Sequence, residues 1–145
     1  MPTFNYSVDV AVDCAKAYSV LKNVTEYSSF MNSVKEVKII SEKDNLLLTQ
    51  WNVLYDGVPI DWSEEIIYND KDFSLKFKSV SGNYSRFGIW KVSKNNENNK
   101  TSISLEITYD WNAPNFENYF GDVYKQKAER ATKGMLYALK KRLSK

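Results

Sequence analysis

Alternation of apolar and polar residues with a period of two runs through most of the chain and predicts a largely β-structured fold. Near the amino terminus the apolar residues Phe4, Tyr6, Val8, Val10 and Val12 alternate with polar or small ones, as in a half-buried strand. From residue 34 onward the same pattern, interrupted by turn residues, predicts strands at about 34–41, 46–55, 58–69, 73–80, 84–94 and 101–111. The sequence therefore predicts a sheet of about seven strands.

The dipeptide Asp56–Gly57 predicts a hairpin between the third and fourth strands, because apolar runs flank it and both central residues of such a turn adopt positive φ. On the fourth strand the even-numbered residues share one face, with Glu64 between Trp62 and Ile66. A carboxylate in an apolar face is rarely buried without a partner. Glu64 therefore indicates a paired site, a cavity that holds water, or an error of one residue in the predicted register.

Helical spacing replaces alternation in two parts of the chain. After the first strand, Asp13 is the predicted N-cap of a short helix and Thr25 that of a second. After Pro114 a long helix is predicted over about 115–143. Its apolar stripe consists of Phe116, Phe120, Tyr124, Ala128, Ala131, Met135 and Leu139. We therefore expect an α+β fold in which a curved antiparallel sheet wraps around the long C-terminal helix.

The strand at 84–94 has a mixed pattern, with Phe87 and Ile89 on one face and Tyr84 and Trp90 on the other. Glycine inside a strand often marks a bulge, and a bulge shifts the following side chains to the opposite face. We therefore expect a bulge near Gly88.

Composition excludes several classes of function. The 145 residues predict one domain, and the balance of 20 basic against 18 acidic residues, a net charge of +2, argues against nucleic acid as the main partner. The chain has no histidine, which excludes His-dependent catalytic triads and His-based zinc or iron sites. Its lone cysteine, Cys14, cannot form an intramolecular disulfide, which fits the cytoplasm. We recognise no signal peptide and no apolar run long enough to span a membrane.

Aromatic residues make up 14% of the chain and include four tryptophans and ten tyrosines. Packing in the core is sufficient to explain any one of these tryptophans. Together, opposite a helix with small residues, they would leave either tight packing or a cavity. Tyrosine and tryptophan suit a cavity that orients a planar, oxygen-rich ligand.

Three segments carry a resemblance to a known family: VTEYSSFMNSVKEVKII at 24–40, TQWNVLYDGVPIDWSEEIIY at 49–68, and YSRFGIWKV at 84–92, followed by the strand at 101–111. With the terminal helix they cover nearly the whole chain. It resembles the START-like (SRPBCC) helix-grip superfamily, in particular its bacterial polyketide cyclase/aromatase branch. Similar strings occur in coenzyme-Q-binding proteins, plant hormone and allergen proteins and lipid carriers, so the resemblance specifies the fold better than the function.

The resemblance implies a deep pocket between the concave face of the sheet and the C-terminal helix. In the cyclase branch such a pocket holds a poly-β-ketone chain tethered to an acyl carrier protein. The first ring closes by aldol reaction and dehydration, without a metal or redox cofactor. Several such enzymes have an inward arginine a few residues beyond the position of Trp62, where this chain has Ser63, Glu64, Glu65 and Ile66. Arg86, on a neighbouring strand, is the nearby arginine that could replace it.

The candidate catalytic residues are Glu64, Arg86 and Tyr109. Glu64 or Arg86 would assist proton transfer or bind a substrate oxygen, and Tyr109 would donate a hydrogen bond to an enolate or carbonyl oxygen. The alternative is a purely structural role, in which Arg86 or a lysine pairs with Glu64, or a register shifted by one residue in which Glu65 points outward. The expected ligand-binding residues are Tyr27, Phe30, Met31, Trp51, Trp62, Tyr84, Trp90, Phe120, Tyr124, Ala128 and Ala131.

Two functions are expected from this resemblance. The first is a cofactor-independent aromatase/cyclase that acts on a polyketide-type intermediate, and the second is a non-catalytic carrier of a hydrophobic ligand such as a quinone or a lipid. A protein-interaction module is a weaker third. The basic residues of the terminal helix usually form a solvated face; alternatively they would dock an acidic acyl carrier protein. They are Lys125, Lys127, Arg130 and Lys133.

Overall fold

A computed structural model describes residues 3–55, 57–82, 85–110 and 121–144. Its elements are β1 (Thr3–Val10), α1 (Cys14–Lys22), a 3₁₀-helix (Val24–Ser29), β2 (Val34–Lys43), β3 (Leu46–Tyr55), β4 (Val58–Asn69), β5 (Ser74–Gly82), β6 (Ser85–Asn95), β7 (Lys100–Asp110) and α2 (Gly121–Leu143). No helix in these ranges is both long enough and apolar enough to cross a membrane.

The seven strands form one sheet in the order β1-β7-β6-β5-β4-β3-β2, and every neighbouring pair is antiparallel. The helix α2 packs against β1, β3 and α1. The predicted α+β helix-grip fold, with two short helices after the first strand, is confirmed.

Period-two alternation places one face of the sheet in the core. On β3 the odd-numbered residues from Leu47 to Tyr55 are buried, and on β4 the even-numbered residues from Ile60 to Ile66 are buried. From α2 the core receives Ala128, Thr132, Met135, Leu136, Leu139 and Leu143. The core therefore lies between the inner face of the sheet and α2.

Two short-range predictions have different outcomes. Asp13 caps α1 as expected, because its carboxylate accepts a hydrogen bond of 2.8 Å from the backbone N–H of Lys16. The expectation that Thr25 caps the second helix is wrong. The N-cap position is two residues earlier, at Asn23, and the 3₁₀-helix has no side-chain cap, while the Thr25 hydroxyl donates to the Asn23 side chain.

The β3–β4 hairpin is confirmed, with Tyr55 paired with Val58 and Gly57 at a φ of 85°. Asp56 lies outside the described residues. The start predicted for the long helix at residue 115 also lies outside them, as do Phe116, Phe120 and Tyr84. The same holds for the side chain of Tyr124.

The bulge expected near Gly88 is not present, because β6 pairs with both β5 and β7 through this position without a shift. Gly88 lies on the inner face with Arg86 and Trp90. A Cβ atom at Gly88 would overlap with the carbonyl oxygen of Glu106 and lie 2.9 Å from Cζ of Phe77. Glycine is required there by the close approach of the neighbouring strand, not by an irregularity.

Register shifts occur at other positions. The edge strand β2 shifts twice against β3, between Val34 and Glu36 and again between Ile39 and Ser41. A third shift separates two pairs of β4 and β5: Ser63 lies opposite Ser81, but Glu64 lies opposite Ser79. This third bulge therefore adjoins Glu64, a common position for bulges beside functional sites.

Candidate functional site

A buried ion pair lies on the inner face of the sheet. The Nε atom of Arg86 donates a hydrogen bond of 3.0 Å to Oε1 of Glu64, and their side chains are only 6% and 2% exposed. The indole Nε1 of Trp62 donates to the same carboxylate oxygen at 3.1 Å. Glu64 therefore faces inward, so a one-residue error in its predicted register is excluded, and Arg86 is its partner.

Aromatic rings surround the guanidinium group. Its Cζ atom lies 4.5 Å from the ring centroid of Trp62, 5.0 Å from that of Phe77 and 5.6 Å from that of Trp51. Trp51 and Trp62 are paired across β3 and β4, and their rings stack at 5.6 Å and 6°. The cation is thus held by ring faces as well as by the carboxylate.

Two buried hydroxyl groups that the sequence pattern did not single out add polar contacts to the site. The Thr49 hydroxyl donates to the backbone carbonyl of Glu64 at 2.9 Å and accepts a hydrogen bond of 2.8 Å from the indole of Trp51. The Ser79 hydroxyl accepts a hydrogen bond of 2.8 Å from the backbone N–H of Arg86. The inward direction of Thr49, though not its hydrogen-bond partners, follows from its spacing, since it lies two residues before Trp51 on the same face of β3.

The ion pair adjoins a small cavity between the sheet and α2. The cavity measures about 20 Å³, and its walls include Tyr27, Trp51, Trp90 and Thr132. A volume of this order holds a single water molecule. In the described part of the chain, the deep pocket that the resemblance implies is therefore nearly closed.

Among the described residues, two phenols beside the site are already hydrogen-bonded within the protein. The Tyr27 hydroxyl donates to the backbone carbonyl of Leu21. Because the Thr132 hydroxyl donates to the carbonyl of Ala128 at 2.8 Å, Tyr109 must be the donor in its own 2.7 Å contact with Thr132. Burial is the main reason that the pKa of both Tyr27 and Tyr109 is raised. Both phenols are therefore neutral at physiological pH, and Tyr109 links β7 to α2.

The remaining candidate residues fall in two places. Trp90 lines the cavity, and Ala128 is buried in the core. Phe30, Met31 and Ala131 line a separate surface groove. Within the described ranges, no group of three or more cysteine, aspartate or glutamate side chains is placed to hold a metal ion.

A curved antiparallel sheet that grips a C-terminal helix over an inner cavity defines the START-like helix-grip class of proteins. Within that class the chain belongs to the family of polyketide cyclases/dehydrases and lipid transport proteins, because the model of that family matches residues 10–136. The resemblance seen in the sequence is confirmed. A search of curated protein sequences gives no match.

Solved structures share the fold at low sequence identity. TTHA0849 from Thermus thermophilus superposes with a TM-score of 0.87 at 17% identity, over 98% of this chain and 97% of that one. The Zhui aromatase/cyclase from a Streptomyces species superposes with a TM-score of 0.86 at 14% identity, over 98% of this chain and 93% of that one. A START superfamily protein from Mycobacterium smegmatis superposes with a TM-score of 0.80 at 13% identity, over 97% of this chain and 96% of that one. These similarities extend over essentially the whole chain and establish its fold.

Proposed function

We propose that the protein binds a planar, oxygen-bearing hydrophobic molecule of the polyketide type and promotes its aldol cyclisation and dehydration. The supporting observation is the buried pair of Glu64 and Arg86 inside an aromatic wall. Removing two charges from water costs several kcal/mol per ion before their mutual attraction is counted. A cavity that holds only a hydrocarbon chain does not need such a pair, whereas a cavity that orients ketone oxygens does.

The proposed chemistry uses both charges. Glu64 accepts a proton from a methylene group between two carbonyl groups, and the guanidinium of Arg86 stabilises the negative oxygen of the resulting enolate. The enolate carbon attacks a second carbonyl carbon of the same chain, and the alkoxide that forms takes the proton from Glu64. A second proton passes through Glu64 from the ring carbon to the departing hydroxyl group, which leaves as water. The stacked indoles hold the chain in a reactive conformation.

Occupation by such a ligand requires the walls of the cavity to separate. Small-molecule sites typically measure about 300–1,000 Å³, and the inner cavity measures about 20 Å³. The proposal therefore includes an open form of the protein, whose free-energy cost weakens the apparent affinity for the ligand.

A carrier function is the second candidate, because the family description includes lipid transport. An acyl carrier protein as partner is also a proposal. It is supported by the exposed cationic residues Arg130 and Lys133 on α2, which suit electrostatic steering of an acidic partner.

A product assay with a poly-β-ketone thioester tests the proposal. Chromatography with mass spectrometry would follow ring closure, and quenching of tryptophan fluorescence would follow binding. We expect the wild-type protein to raise the yield of the dehydrated ring, and Glu64→Gln to lower the rate about a hundredfold or more while the thioester still binds. Lys140→Glu, an exposed change on α2, is the control and should retain the wild-type rate.

The same assay separates the two candidate functions. Binding with no change in the products would refute the cyclase and favour the carrier. Absence of binding by both the thioester and a long-chain quinone would refute both. Circular dichroism of each variant excludes loss of the fold as the cause.

A further inference from the structure

A second, larger concavity lies on the surface of the protein. This groove measures about 640 Å³, which is within the range of small-molecule sites. It lies between residues 29–33, Leu54 on β3, and the part of α2 from Arg130 to Arg142. The first segment is held in place, because the backbone N–H of Leu54 donates to the carbonyl of Ser33 at 2.7 Å.

The groove is distinct from the inner cavity. Met31 lines the groove and Tyr27 lines the cavity, and both side chains are only 1% exposed. On α2, Ala131 faces the groove, whereas the next residue, Thr132, faces the cavity. In the ranges that the structure describes, the two spaces therefore have no lining residue in common.

The lining of the groove combines apolar side chains with positive charge. Its apolar residues are Phe30, Met31, Leu54, Ala131 and Ala138, and its cationic residues are Arg130, Lys141 and Arg142. No acidic residue lines it among the residues that the structure describes. Such a lining complements a molecule that has both an apolar part and a negative charge.

Two of the cations have no competing carboxylate. Within the described ranges, no carboxylate lies at ion-pair distance from Lys141 or Arg142. The Arg142 guanidinium lies 5.7 Å from the ring centroid of Phe30, and the Lys141 ammonium lies 5.6 Å from that of Tyr137. Contact with ring faces holds long side chains in place and leaves their charge for a ligand.

Gly134 keeps the α2 side of the groove open. A Cβ atom at this position would meet no atom within 4 Å, so free space lies directly above the helix backbone. Glycine in the interior of a helix is less stable than alanine by about 1 kcal/mol. Gly134 therefore lowers the stability of the helix and leaves free space at the groove.

We propose that this groove binds an amphipathic small molecule that carries an anionic head group, a carboxylate or a phosphate, and an apolar tail. The head group contacts Arg142 and Lys141, since guanidinium groups match the paired oxygens of these anions. The tail lies over Gly134 against Phe30 and Met31. The groove site does not depend on the proposed cyclase function.

Binding to the full-length protein can be measured with dodecanoate, dodecyl phosphate and uncharged dodecanol, below the concentrations at which they form micelles. We expect at least one anion to bind and dodecanol to bind at least about tenfold more weakly, because one charge-assisted contact is worth at least about that factor. In ¹⁵N-labelled protein the amide resonances of residues 29–33 and 130–142 should shift. The comparison of the two anions identifies the head group.

Three variants locate the site. Combined Lys141→Glu and Arg142→Glu should weaken anion binding about tenfold or more. Gly134→Leu should block binding while the fold is retained. The control, Lys140→Glu, makes one such charge reversal on an exposed part of α2 outside the groove lining and should leave binding unchanged.

Several results would overturn the proposal. The proposal would be wrong if neither anion bound, or if dodecanol bound as tightly as the anions. It would also be wrong if Lys140→Glu weakened anion binding as much as the double variant, or if Gly134→Leu had no effect on binding. Resonance shifts centred on Glu64 and Arg86, rather than on the groove, would place the ligand in the inner cavity instead. Glu64→Gln, which tests the cyclase function, should leave binding to the groove intact, so each proposal can fail without the other.

Discussion

Nε of Arg86 and Oε1 of Glu64 are 3.0 Å apart, although the two side chains come from β6 and β4, which are separated by β5. Both charged groups are buried, so water could not solvate either of them if its partner were removed. Removal of one partner should therefore leave an uncompensated charge in the core. We expect Arg86→Met to lower the free energy of unfolding by about 3–5 kcal/mol, as measured by urea denaturation.

The double variant provides the decisive comparison for this pair. Glu64→Met combined with Arg86→Met should cost much less than the sum of the two single changes, because both charges are removed together. The exposed pair of Lys38 and Glu36, 3.6 Å apart, is a control, and Lys38→Met should cost less than about 1 kcal/mol. Additive costs for the two buried changes would contradict the expected coupling.

The backbone approach at Gly88 gives a second prediction. Gly88→Ala should destabilise the protein by about 1–3 kcal/mol or more, because its methyl group would collide with the β7 backbone and the Phe77 ring. Gly134→Ala is the matched control, since that position has free space in a helix, and it should stabilise by about 1 kcal/mol. Thermal unfolding of both variants measures the difference, and a neutral Gly88→Ala would show that the strands can separate without cost.

Asp70 supplies a prediction about pH. Its carboxylate accepts hydrogen bonds from the Lys22 ammonium at 3.0 Å and from the Tyr18 hydroxyl at 2.9 Å, and these lower its pKa below the ordinary value of 3.8. A carboxylate whose pKa is lower in the folded state stabilises the fold above its unfolded pKa. That contribution is lost as the pH falls through the folded pKa.

Urea denaturation at about pH 6 and about pH 2 measures this effect. The wild-type protein should be more stable than Asp70→Asn at the higher pH, and the difference should shrink at the lower one. In a Lys22→Met background, the change with pH in the stability difference caused by Asp70→Asn should become smaller. A difference that is the same at both pH values would exclude a contribution from the Asp70 charge.

The sequence was sufficient to predict the fold because alternation of apolar and polar residues marks the buried face of strands such as β3 and β4. On β3 and β4 the alternation and the turn at Gly57 fix the hairpin and place Glu64 on the inner face. On β6 the alternation fails, because Phe87 is apolar yet 42% exposed on the outer face. Because β6 has apolar residues at both odd and even positions, the sequence does not indicate which face of the strand is buried. The inward direction of Arg86 could therefore not be predicted.

The size of the cavity and its polar contacts were also beyond the sequence pattern. Thr49 and Thr132 are buried, but a hydroxyl residue within an apolar pattern does not indicate which partner satisfies it. The volume depends on how far the Trp51 and Trp90 rings fill the space below α2, and hydrophobic spacing carries no information about ring orientation. The sequence pattern did not indicate the surface groove, because its residues are distant in sequence and Phe30 and Met31 were expected to line the inner pocket.

The two irregularities of β2 affect how molecules of this protein behave toward one another. β2 is an outer strand, and its Ile39 and Ile40 side chains are 43% and 56% exposed. A regular strand with adjacent exposed isoleucines would invite an additional strand from another molecule and thereby self-association. Within its ten residues β2 has two bulges relative to β3, so its exposed edge is irregular and pairs poorly with a further strand. Concentrated solutions of this protein should therefore resist assembly into fibrils.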